Sequence, residues 1–89
     1  MSPKKNQIKF KDFMKTVEIV ADDNFYFHKL INKSGSGIRL ELFRKKEDTV
    51  PCAMIVFHQD KYVHKGDLEK ACKGLEIKVD DFLKLIDSL

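Results

Sequence analysis

An α+β domain, with a small three-stranded antiparallel sheet and helices packed on one face, is the fold this sequence predicts. Three observations carry it. Residues 25–32, 38–44 and 52–58 are β-favouring runs separated by short polar turns. An amphipathic helical stripe precedes them, and two more helical patterns follow. Consecutive strands joined by short turns pair antiparallel, which leaves the helices to cover one side.

Taken in order, residues 1–9 are polar and are expected to be flexible. Phe10, Phe13, Met14, Val17, Val20 and Ala21 then recur at steps of three and four, one face of a helix with ~3.6 residues per turn. Asp22, Asp23 and Asn24 are expected to end it. "FYFHKLIN" reads as the first strand, and Lys33 to Gly37 as a turn. In the second strand Ile38, Leu40 and Leu42 share one face, while Arg39, Glu41 and Phe43 share the other. "KKED" is a charged hairpin tip, and Pro51, which has no N–H to donate, opens the third strand. That strand, "CAMIVFH", is apolar on both sides and is expected to lie centrally or under a second cover. "QDKYVHKGD" is a polar loop, after which Asp67 is the expected N-cap of a helix carrying Leu68, Ala71, Cys72 and Leu75. Gly74 is expected to break or cap that helix. In "VDDFLKLIDSL", Phe82, Leu83, Ile86 and Leu89 form a last helical face, with Asp80 and Asp81 in its favourable first turn.

The length of 89 residues suits one domain, residues 1–89, with a modest Phe-rich core. Cys52 and Cys72 sit in apolar segments without CxxC spacing and are expected to be buried thiols, consistent with a cytoplasmic setting. The three His and two Cys show no metal-ligand spacing, so neither a metal nor a cofactor is expected. No apolar run has the length of a membrane span, and the N-terminal residues lack the apolar stretch of a signal peptide. The net charge of +3 permits a polyanionic partner without implying one.

His58 ends the third strand, with Gly66 eight residues on and Leu68 ten on, and Lys61 and Lys65 lie between them. Gly74-Leu75 leads on to Asp80-Asp81-Phe82-Leu83, and Gly35-Ser36-Gly37 leads into the second strand. In these three stretches the chain resembles the HicA (YcfA-like) toxins, small ribonucleases with a double-stranded-RNA-binding-domain-like fold. The resemblance implies that fold, RNA as partner, a HicB-like antitoxin that masks the RNA face, and messenger-RNA cleavage without a metal. The family's turn ends in a catalytic His where this chain has Gly37. The resemblance therefore implies either a weakened nuclease, a relocated base or a non-cleaving binder.

Cleavage through the RNA's own 2′-hydroxyl needs a base, an acid and cations for the charged intermediate. Imidazole suits either proton role. His28 and His58 are the candidates to replace the missing His; each has a competing reading as an ordinary strand residue or a His bonded to the following loop. His64, in a charged loop, reads as solvated. Lys33, Gly35, Ser36, Gly37, Arg39, Arg44, Lys61 and Lys65 are the candidate RNA-binding residues, joined at the hairpin tip by Lys45 and Lys46. Gly35–Gly37 serves equally as a phosphate-receiving backbone nest or as a plain hairpin turn. Interspersed Glu41, Glu47, Asp48 and Asp60 favour a merely solvated surface on charge alone. A different class of function also fits: a protein-interaction module that uses the sheet face and an exposed Phe43 as its contact surface.

Overall fold

The computed structural model describes residues 8–32 and 37–89, the side chain of Lys65 excepted. Its elements run α1 (Phe10–Asn24), β1 (Phe27–Asn32), β2 (Gly37–Phe43), β3 (Ala53–His58), α2 (Lys65–Leu75) and α3 (Val79–Asp87). The α+β class and the antiparallel three-stranded sheet expected from the sequence are what the chain adopts. The apolar stripe of α1 is buried at Phe10, Phe13, Val17, Val20 and Ala21. It meets Leu40, Leu42, Ile55 and Phe57 from the inner sheet face, together with Leu68, Ala71 and Leu75 of α2 and Phe82 of α3. Phe13 is the hub: its ring lies edge-on to Phe57 at 5.3 Å and tilted against Phe82 at 5.7 Å.

The strand order is β1-β2-β3, so β2 is central and β3 is an edge strand, whereas its two apolar sides suggested a place at the centre or under a second cover. Antiparallel pairing of each strand with the next in the chain leaves β2 in the middle whatever the composition of β3. The second apolar side of β3 faces outward instead. Met54 is 61% exposed, and it borders a groove against α2 with Cys52, Ala53, Val56 and Gly74. Lys70 of α2 donates to the Val56 carbonyl at 3.2 Å, which blunts part of the free strand edge. Cys72 is buried as expected, but Cys52 is exposed at the start of that edge.

Several boundaries differ from expectation for identifiable reasons. Asp22 to Asn24 stay within α1; the Asn24 side chain donates to the Leu75 carbonyl at 2.8 Å, tying the ends of α1 and α2 together. Ile8 and Lys9, expected to be loose, are fixed: Ile8 is 2% exposed, Lys9 bridges to Tyr62, and the Ile8 carbonyl accepts from Val63 N–H at 2.9 Å. Gly74 neither breaks nor caps α2. A Cβ there would meet Ile55 Cγ1 at 2.8 Å, with Cδ1 closer still, so the glycine lets α2 approach β3. The left-handed cap is Glu76, at φ 61°, ψ 44°. Leu89 lies beyond α3 and is exposed.

Phe43 is on the outer face, as alternation requires, yet it is 1% exposed. The Phe27 ring stacks on it at 4.3 Å and 3°, and the Lys29 ammonium lies 5.3 Å from its centroid. It is a covered ring, not a free contact surface.

Candidate functional site

The site forms where β3 ends and α2 begins. In the β2–β3 register Gly37 is the direct partner of His58. Directly opposed residues project from the same sheet face with Cβ atoms ~4.5–5.5 Å apart. The imidazole of His58 therefore stands beside the backbone of Gly37, the residue that opens β2. Arg39 is two residues further along the same face, its Nε 3.3 Å from a Glu41 carboxylate oxygen.

His58 is held by Asp67. Its backbone N–H donates to Asp67 Oδ2 at 2.8 Å, and its ring Nδ1 lies 3.2 Å from the same oxygen. Asp67 was expected to cap α2, but His64 occupies the N-cap position and Asp67 sits inside the first turn. Its carboxylate turns back to β3 instead. The Asp67 side chain is 4% exposed, whereas that of His58 is 58% exposed. A fixed, buried acceptor thus orients an accessible ring. Burial pushes the Asp67 carboxyl up, but the His58 N–H, the His58 ring and the Lys70 ammonium together outweigh it and hold Asp67 below the usual carboxylate range. Lys70 Nζ is 3.3 Å from Oδ1.

His64, read from the sequence as solvated, is a neighbour of His58. The two rings are stacked, 5.4 Å apart and 6° from parallel. His64 Nε2 is 3.1 Å from Asp60 Oδ2. The His64 ring, followed by the Lys61 N–H, holds Asp60 below its usual carboxylate value. The loop that carries these groups is pinned from below: Phe10 N–H donates to the Lys61 carbonyl at 3.1 Å, and Val63 is buried. One ligand atom from each of His58, His64 and Asp67 can be chosen so that all lie within 4.8 Å of one another, a cluster not visible as a sequence spacing.

The other expected residues divide. Lys61 lies on the site's own loop, its ammonium 5.5 Å from the Tyr62 ring. Lys65 opens α2. Lys33, Gly35, Ser36 and the side chain of Lys65 lie outside the described residues. Arg44 follows the opposite end of β2 from Gly37, where it pairs with Glu76 and lies 5.0 Å over the Phe25 ring. That pairing raises the Arg44 pKa above its ordinary value. Arg44, Lys45 and Lys46 are thus separated from His58 by the length of the strand. His28 is on the inner side, its Nδ1 2.9 Å from Asp22 and its Nε2 3.8 Å from Glu18 on α1. Its side chain is 18% exposed, so it is the less accessible of the two candidate bases.

Asp60, His64, Asp67 and Lys70 were missed as site residues. The signal that could have found Asp67 was its place nine residues after His58, in the turn that returns the chain to the strand end. No protein-family model, no curated protein and no solved structure matches this chain.

Proposed function

We propose that this chain is a HicA-like RNA-binding domain of a toxin–antitoxin pair, and that it cleaves RNA through His58 in place of the missing turn histidine. The observation that carries the reading is the cross-strand pairing of Gly37 with His58, together with the grip of Asp67 on the His58 ring. With Nδ1 directed at Asp67, the Nε2 lone pair faces outward and can take a proton from a ribose 2′-hydroxyl. The carboxylate fixes the tautomer and the orientation of the ring. His64, stacked alongside, is placed to return a proton to the leaving oxygen. Lys70, its ammonium 3.3 Å from Asp67 Oδ1, and Lys61, on the loop that joins the two histidines, supply positive charge at this end of the molecule. The attack yields a 2′,3′-cyclic phosphate and a free 5′-hydroxyl, with no metal in the step.

The cognate partner is a HicB-like antitoxin that covers this end of the sheet. The competing protein-interaction reading used the sheet face together with an exposed Phe43 as its contact surface, and Phe43 is covered, which removes its aromatic anchor.

Two measurements test the proposal. Affinity for a short RNA duplex or hairpin is expected to fall steeply with salt, since each displaced counterion contributes close to one power of the salt concentration. In cells, induction of the wild-type chain is expected to arrest growth, and His58→Ala is expected to relieve the arrest. Salt-insensitive or absent RNA binding would remove the reading.

A further inference from the structure

We infer that His58, His64 and Asp67 form a binding site for a borderline transition-metal dication, Zn²⁺ foremost. The donor set is two imidazoles and one carboxylate, the ligand chemistry of three-ligand zinc sites that retain a water. Hard cations such as Mg²⁺ prefer all-oxygen sites and are poorly served by it.

The geometry is half prepared. Asp67 is the fixed member: its side chain is 4% exposed and is anchored by the His58 backbone N–H at 2.8 Å. The two rings are the movable members, with side chains 58% and 49% exposed. The three ligand atoms lie within 4.8 Å of one another, and tetrahedral zinc with ligands at ~2.0–2.1 Å needs them roughly 3.4 Å apart. Rotation of two exposed rings by about an ångström closes that gap. His64 already has a buttress. Its Nε2 faces Asp60, so Nδ1 can ligate while Nε2–H stays with the carboxylate, the arrangement that orients metal-bound histidines. Lys70, 54% exposed beside Asp67 Oδ1, can swing into solvent as the dication replaces its charge.

On the RNA reading above, the ion would occupy the ring that has to accept a proton, so the same site would be silenced by zinc. The binding measurement uses no RNA, and either idea can fail without the other.

The test uses the full, untagged chain. Calorimetric titration with Zn²⁺ alone, and visible absorption with Co²⁺ as a spectroscopic substitute, are expected to show one ion per chain at micromolar affinity. His64→Ala, an exposed change that leaves the core alone, is expected to weaken binding at least about tenfold, and Asp67→Asn comparably. Cys52→Ser and His28→Ala are expected to leave it unchanged. Absence of saturable binding, binding indifferent to His64→Ala, or binding lost in Cys52→Ser would overturn the assignment.

Discussion

Asp67 shows how one side chain links folding to chemistry. Its carboxylate closes the strand end onto the first turn of α2 and in the same contact aims the His58 ring. Because its pKa is lowered in the folded chain, it stabilises the fold fully above the unfolded carboxylate value of ~3.9. That contribution is lost as pH falls from there through the lower folded value. Asp67→Asn is therefore expected to cost about 1–3 kcal/mol near neutral pH, since the His58 N–H, the His58 ring and the Lys70 ammonium lose their buried, charged acceptor. The difference from wild type is expected to shrink below about pH 4, which urea unfolding at a series of pH values reads directly. A difference unchanged from neutral to acid pH would show that the charge on Asp67 is not what matters. The sequence alone made Asp67 a helix cap, because local capping rules see only the residues that follow it. Its partner is on another element, and no period or spacing encodes that.

The contact between α2 and β3 fixes the relation of the two elements that build the site. Gly74 permits it, since a methyl group there would run into the buried Ile55 side chain. Gly74→Ala gains about 1 kcal/mol of helix propensity, while overpacking costs roughly 1–3 kcal/mol. Net destabilisation is expected, and the sign should reverse in an Ile55→Ala background, where propensity acts without the clash. A double-mutant cycle by denaturant unfolding measures that coupling. The elements themselves were legible in the sequence for physical reasons. The three- and four-residue steps from Phe10 to Ala21 have only one face to bury, and the alternation Ile38-Leu40-Leu42 likewise. What lies over a face was not legible. Phe43 was correctly placed opposite Leu42, but alternation does not say that Phe27 stacks across the strand to cover it. The position of β3 was misread because an apolar pattern reports burial, whereas strand order follows from connectivity.

For the molecule as a whole, the helices pack on one side of the sheet. On the other face stand Arg39, Glu41, Met54, Val56 and the Gly37–His58 pair. The helices also share one core, with Phe13 touching β3 and α3 at once. Phe13→Ala is expected to cost about 3–5 kcal/mol, a large share of the stability of a chain this small. Unfolding followed by far-UV and near-UV signals should remain a single coincident transition if sheet and helices form one cooperative unit. Among the described residues the basic side chains are divided: Arg44 and its neighbours follow the far end of β2, while Lys70 stands beside Asp67 and Lys61 lies on the loop that joins the two histidines. RNA engaged at the β3–α2 end should therefore be more sensitive to Lys61→Ala or Lys70→Ala than to Lys45→Ala. The single-turnover rate of RNA cleavage, with EDTA present and His58→Ala and His28→Ala run beside wild type, tests the account most directly. The expected result is a cyclic-phosphate product, a loss of ~10²–10⁴-fold in His58→Ala, and a near-normal rate in His28→Ala; cleavage undiminished by His58→Ala, or no cleavage by the wild-type chain, would contradict it.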